Sequence, residues 1–241
     1  ALAPSLRIVG EYLVPVRFVL ATKPGTPLDS VTTVAAHAVA YAQCRTWLEK
    51  NLPRHSHVPA RSNVHAAQSM SDDGLADAAI APPGITQHAD VTVVAENIGD
   101  NPNAQTRFVL VQNGGLPPER TGADKTSIIA ELPDDAPGRL LEMLEQFATR
   151  GVNMSLLESR PIGDAMGRYR FVIDLDGHID DERVADALMG LRRFSPKLVF
   201  LGSYPRANGH RPDVAKPYSD DAFVDARAWL EALRTGSPEG A

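Results

Sequence analysis

A chain of 241 residues has room for one or two domains, each with a buried core. Its 43% hydrophobic and 22% charged content is that of an ordinary globular protein, and a net charge of -6 argues against a nucleic-acid partner, which needs a concentrated basic surface. No apolar stretch approaches the roughly 20 residues that span a bilayer, so no membrane partner is expected.

The chain opens at Ala1 and enters strand-like sequence almost at once. A domain that starts inside its own sheet pattern leads to the expectation of an upstream portion. Residues 6 to 22 predict one or two extended segments rich in Val, Ile, Leu and Phe, closed by the turn KPGTP at 23 to 27. A helix is predicted from about Ala36 to Asn51, ended by Pro53, with His37, Tyr41, Cys44 and Leu48 recurring on one side. Cys44 is the single cysteine, which excludes an internal disulfide or a cysteine metal cluster and fits a reducing, cytoplasmic setting. On an apolar helix face it reads as a buried, inert thiol. The short strand HVPA leads to a helix starting near Ser62, whose hydroxyl can accept a bond from a helix-start amide. ADAAIA at 76 to 81 reads as a buried strand and VTVVAENI at 91 to 98 as another. After the loop GDNPNAQ, a strand runs from Thr106 to Gln112. Strands alternating with helices imply a partly parallel α/β sheet. His55, His57, His65 and His88 lack the cysteines or clustered acids that would make their H-x-H pattern a metal site.

NGGLPPERTGADK, from 113 to 125, reads as a linker, since its glycines and prolines prevent regular structure. From Thr126 the pattern is β-α-β-β-α-β: TSIIAEL, a helix, VNMSLLES, RYRFVIDL, a helix, and KLVFLGSY. Asp134 or Asp135 is the expected cap of the first helix, Pro137 sits in its start, Gly151 ends it, and Leu140, Leu141, Leu144 and Phe147 form its buried stripe. Asp180 is expected to cap the second, with Val184, Leu188 and Leu191 in the core. This order is a ferredoxin-like sandwich. One more amphipathic helix is predicted at about Asp221 to Arg234.

Two short motifs about fifty residues apart carry a resemblance. Thr106-Arg107-Phe108 opens the run TRFVLV, and Glu158-Ser159-Arg160-Pro161 closes the run GVNMSLLESRP. In this order and spacing, over roughly residues 1 to 205, the chain resembles prephenate dehydratases that carry a C-terminal ACT regulatory domain. The resemblance implies an α/β catalytic domain, two-lobed like a small periplasmic binding protein, at residues 1 to 118. An ACT domain at 119 to 207 and a tail with one helix at 208 to 241 follow. The family's glycine-rich GPxGT turn and its ENS motif have no counterpart here. The expectation is therefore a partial catalytic domain, mainly its second lobe, with weak or absent turnover.

The activity implied is the dehydration and decarboxylation of prephenate to phenylpyruvate, on the way to phenylalanine. It asks for preorganised hydrogen-bond donors in a site that excludes water, and for no cofactor or metal. The resemblance places Thr106 at the leaving hydroxyl. An alcohol is too weak an acid for simple proton transfer, so a donated hydrogen bond or a relay through water is the expected role. Outside the motif, the same threonine would be an ordinary strand opener. The substrate-binding candidates are Gln43, Arg107, His37, Ser62 and Asn103. HAVAYAQC resembles a family segment that turns its histidine and glutamine to the cleft, although Ala38, Val39 and Ala40 depart from it. Ser62 and Asn63 resemble a family patch near substrate, and a helix cap also explains Ser62. Asn103 and Gln105 lie in the loop before the strand, where loop residues often line sites. Arg107 has the two-pronged geometry for a carboxylate, but strand alternation turns it away from Thr106, which leaves a structural ion pair as its alternative. Phe108 is expected in the core.

For the ACT domain the resemblance implies a phenylalanine site at a seam between paired subunits, hence a homodimer or homotetramer. It would be built from Gly138, Leu140, Leu141, Asn153, Glu158, Ser159, Arg160 and Pro161. Gly138 would allow close backbone approach to the ligand, and Arg139 stands where the family has a small residue. Two other readings remain: a non-catalytic amino-acid sensor using the ACT domain alone, and arogenate dehydratase.

Overall fold

A computed structural model describes residues 5–134, 136–163 and 169–236. The chain divides into two units, Val14–Thr106 on the one hand and Ala1–Leu13 with Arg107–Ala241 on the other. β1 (Leu6–Pro15) runs up to and just past the first of these boundaries.

Within Val14–Thr106, β2 (Val19–Thr22), β3 (Thr33–Ala36), β4 (Ser56–Pro59), β5 (Ala78–Ala81) and β6 (Thr92–Ala95) form one sheet in the order β4-β3-β5-β2-β6. β3 runs parallel to β4 and β5, and β2 runs antiparallel to β5 and β6. Every residue of β2 and β5 is buried, because apolar layers cover both faces. Leu20, Val34, Ala36 and Ile80 face a core with Leu48 and Ile98. Their neighbours Val19, Ala21, Ala35 and Ala79 face a second core with Ala66, Met70 and Ile85. β3 is the strand that the sequence pattern hides. Four residues ahead of a helix give no period-two signal, yet β3 sits second from the edge and organises the parallel half.

The helix expected over Ala36–Asn51 is two: α1 (Ala38–Gln43) and α2 (Arg45–Asn51), broken at Cys44. The break has a cause. The Asp100 carboxylate accepts from the amides of Thr46 at 2.9 Å and Trp47 at 3.1 Å, capping α2 from a distant loop. α3 (Asn63–Asp73) starts where expected, with Ser62 Oγ accepting from the His65 amide at 3.1 Å, and ends on left-handed Gly74.

In the other unit, β7 (Gln105–Asn113) pairs with β1 as a ribbon. β8 (Asp124–Glu131), α4 (Arg139–Ala148), β9 (Met154–Pro161), β10 (Tyr169–Asp176), α5 (Glu182–Phe194) and β11 (Leu198–Pro205) make the expected βαββαβ, as an antiparallel sheet ordered β11-β8-β10-β9. Ile128, Ala130, Phe171, Ile173 and Leu175 pack beneath Met143, Phe147, Val184 and Leu191 of the two helices. On the opposite face Ile8 and Val111 of the ribbon pack against Ile129, Val199 and Leu201. Gly202 makes this approach possible, since a Cβ there would lie 2.1 Å from the Ile8 carbonyl oxygen. α6 (Asp220–Thr235) follows, capped by Ser219, and Arg227 grips Glu182 of α5. Among the described residues no helix is long and apolar enough to cross a membrane.

Local expectations fail at the helix starts. Phe147 and Leu144 pack in the core as expected, but Leu140 and Leu141 are 41% and 59% exposed, and Met143 joins Phe147 in the core. Gly138, not an aspartate, precedes α4, and the Asp134 carboxylate pairs with Arg139 at 2.6 Å. Asp135 lies outside the described residues. Asp181 rather than Asp180 precedes α5, whose first amide, that of Glu182, donates to Asp220 at 3.0 Å. Phe108 is 54% exposed rather than core.

Candidate functional site

The carboxyl ends of parallel strands are where an α/β sheet collects ligands, because the helices that follow begin there. β3 leads into His37, the residue before α1, and β4 leads to Ser62, the residue before α3. The two starts are tied together: the His37 amide donates to Asn63 Oδ1 at 3.2 Å. His37 Nδ1 accepts from the Val39 amide at 3.3 Å, so its imidazole caps α1. Ser62 is likewise spent on a cap. His57 and His55 also have local partners: His57 stacks on Tyr41 at 4.0 Å, and His55 Nε2 lies 2.9 Å from the Tyr41 hydroxyl.

The loop between β6 and β7 brings the remaining candidates. The Ile98 amide donates to the Phe18 carbonyl at 3.0 Å and the Val16 amide to the Ala104 carbonyl at 2.8 Å, anchoring both ends of the loop. In its middle, the Asp100 amide donates to the Gln43 carbonyl at 2.7 Å while the Asp100 carboxylate caps α2. Gln43 is half-buried at the end of α1. Asn103 is exposed, its amide donating to Asn101 Oδ1 at 3.0 Å, and three residues later Thr106 stands exposed at the head of β7. The chain that delivers Thr106 is therefore clamped to the helix break that carries Gln43. Cys44, between α1 and α2, is fully buried, and burial with the nearby Asp100 charge pushes its thiol up to about 12. At neutral pH it is a protonated, unreactive thiol.

Sequence reasoning missed Asp100, whose partners lie more than fifty positions away, and Arg17, whose Nη1 donates to Asn97 Oδ1 at 3.3 Å beside the same loop. Asn97 itself sits at a φ of 53°, so this loop turns sharply there. Replacing Asp100 with Ala should cost about 1–2 kcal/mol of stability, the value of a helix cap. Urea unfolding measures it, and an unchanged midpoint would mean water replaces the carboxylate at no cost.

Arg107 is committed elsewhere. Its Nε lies 2.5 Å from Glu11 Oε2, its Nη1 donates to Asp174 Oδ2 at 2.5 Å, and its Nη2 donates to the Tyr204 hydroxyl. Lys125 Nζ bonds both oxygens of Glu11, at 3.1 and 3.0 Å, and Ser127 Oγ donates to Asp174 Oδ1 at 2.5 Å. The substrate-binding expectation for Arg107 gives way to its alternative, an ion pair: two carboxylates and a phenol already fill its fork. Burial alone would raise the pKa of Glu11, but the Ala207 amide, Lys125 and Arg107 outweigh it and hold the carboxyl below its ordinary value.

The effector candidates lie on β9 and before α4. Gly138 is in a left-handed conformation with φ 86°, and a Cβ there would meet no described atom within 4 Å. Ser159 pairs with Phe171 and Pro161 with Tyr169, so both share the helix face of the sheet. Glu158 and Arg160 pair with Val172 and Arg170 on the opposite face and form an ion pair with each other. The four motif residues thus divide between two faces, and only Ser159 and Pro161 share a face with the start of α4. Asn153 donates to Asp176 Oδ2 at 2.7 Å, which fixes the bend into β9.

The prephenate dehydratase family model matches residues 1–115, and the ACT domain model matches residues 126–193. The prephenate dehydratase of Mycolicibacterium gilvum is 42% identical over 233 residues, covering 97% of this chain and 73% of the relative. The crystal structure of prephenate dehydratase from Arthrobacter aurescens in complex with L-Phe has a TM-score of 0.88 at 49% identity, covering 95% of this chain and 76% of that one. GqqA, described as a novel type of quorum quenching acylase, has a TM-score of 0.72 at 29% identity, covering 84% of this chain and 73% of that one.

Proposed function

The chain belongs to the prephenate dehydratase family, and from that premise we propose that it converts prephenate to phenylpyruvate under control of phenylalanine bound to its ACT domain. In the reaction the bond from the ring to its carboxylate breaks and releases carbon dioxide. That electron pair aromatises the ring, and the ring hydroxyl leaves as water after taking up one proton. The protein's task is to stabilise the departing oxygen and to hold two carboxylates still. Thr106 supplies the hydroxyl at the departing oxygen, donating a hydrogen bond or relaying a proton through water. Gln43, with a neutral amide, orients a substrate carboxylate or the hydroxyl. Asn103 lies on the same loop as Thr106. His37 and Ser62 shape the helix starts, whose amide dipoles favour an anion.

In this reading residues 1 to 118 serve catalysis, 119 to 207 sense the effector, and 208 to 241 form a tail. Gly138, Leu140, Leu141, Asn153 and Glu158 to Pro161 hold phenylalanine where two ACT domains pair, in a homodimer or homotetramer. The exposed Leu140, Leu141, Leu156 and Leu157 suit such a seam. The buried, reduced Cys44 suits a cytoplasmic setting.

The observation that carries the reading is likeness across both halves of the chain, catalytic and regulatory, to enzymes of one activity. The test follows phenylpyruvate formation from prephenate with and without phenylalanine, alongside calorimetry. Weak turnover that phenylalanine suppresses is the expected result for a partial catalytic domain. Phenylalanine binding without turnover would leave sensing as the chain's activity, and no heat at millimolar phenylalanine would remove the effector.

A further inference from the structure

Thr106 heads a strand with little apolar packing of its own, since Phe108, Val109 and Leu110 are all exposed. Besides its ladder with β1, β7 is held next to Thr106 by Arg107, and each arm of that guanidinium reaches a different strand: Glu11 on β1, Asp174 on β10 and Tyr204 on β11. Ser127 of β8 closes the cluster, 2.5 Å from both Asp174 Oδ1 and the Tyr204 hydroxyl. Asp174 in turn stands opposite Leu156 of β9, two residues before the start of the Glu158–Pro161 motif. The network is buried, with Asp174 2% and Tyr204 0% exposed, and an arginine fork has few alternative arrangements. A small shift of β10 against β11 therefore either carries Arg107 with it or breaks its bonds.

Resting on the effector reading above, we infer that Arg107 is a positioning residue through which the ACT sheet sets the strand that carries Thr106. The free-energy link runs from the effector strand β9, through Asp174 and Tyr204, to Arg107 and so to its covalent neighbour. A coupling of this kind needs an element that both ends bias, and the fork shared by β10 and β11 is that element.

Hydrogen exchange of the β7 amides, measured with and without phenylalanine, tests it beside calorimetry. In the parent, phenylalanine should change exchange over residues 105–111 by about fivefold or more, the scale of an ordinary allosteric coupling. In Tyr204→Phe and Asp174→Asn that response should vanish while phenylalanine affinity stays near the parent's. A merely structural network would lower stability in the variants and leave the response in place. If Asp174→Asn does not fold, Tyr204→Phe, which keeps shape and charge, decides alone. Phenylalanine that binds the parent without altering β7, or variants that keep the full response, would overturn the inference and leave the effector reading standing. Absence of phenylalanine binding to the parent would overturn both.

Discussion

In an enzyme with the complete catalytic domain, Thr106→Ala should lower prephenate turnover by on the order of 10²–10³, the usual loss when one preorganised donor is removed from a departing or developing oxyanion. The loss should appear in kcat, with KM little changed, because the hydrogen bond strengthens as the C–O bond breaks and contributes little to the bound substrate. Thr106→Ser keeps the hydroxyl and should recover most of the rate, and Thr106→Val keeps the shape and should not. The serine–valine comparison separates chemistry from strand packing, since threonine is also a good strand residue. A Thr106→Val enzyme with parental kcat would remove the hydroxyl from the mechanism.

The elements most legible in the sequence were those whose signals are local. Ser62 caps α3 through an amide three residues on, and the βαββαβ order showed as alternating apolar periods. What escaped depends on partners far along the chain. The break at Cys44 is invisible in HAVAYAQC because the Thr46 amide finds its acceptor 54 residues away, at Asp100. For Arg107, alternation along the strand correctly separated it from Thr106. The sequence could not say that its partners would be Asp174 and Tyr204, 67 and 97 residues away. The expected stripe holds at Phe147 and Leu144, which join the core, and fails at Leu140 and Leu141 for another reason. Two apolar residues at the very start of a helix lie beyond the edge of the sheet core, which begins at Met143. Hydrophobicity there marked a surface rather than an interior.

Breaking the Glu11–Lys125 pair should have a large effect on stability. Both side chains are buried, at 7% and 9% exposure, and Lys125 Nζ lies 3.0 Å from Glu11 Oε2. Lys125→Met leaves two carboxylates, Glu11 and Asp174, sharing Arg107 as their one cation among the described residues. Glu11→Leu leaves Lys125 with Asp174 at 4.0 Å and removes the acceptor of the Ala207 amide. Each single change should cost about 3–5 kcal/mol, because an uncompensated buried charge remains. The double variant should cost much less than their sum, since two apolar side chains remove both desolvation penalties together. Additive losses would show that the pair does not interact. Acid adds a second reading. Glu11 has a folded-state pKa held below its ordinary 4.5, so its stabilisation is present above that value and is lost as pH falls through the folded one. The parent's unfolding midpoint should therefore drop on acidification below about pH 4.5. Glu11→Leu should lose part of that dependence, and an identical acid limb in both proteins would place the acid-sensitive group elsewhere.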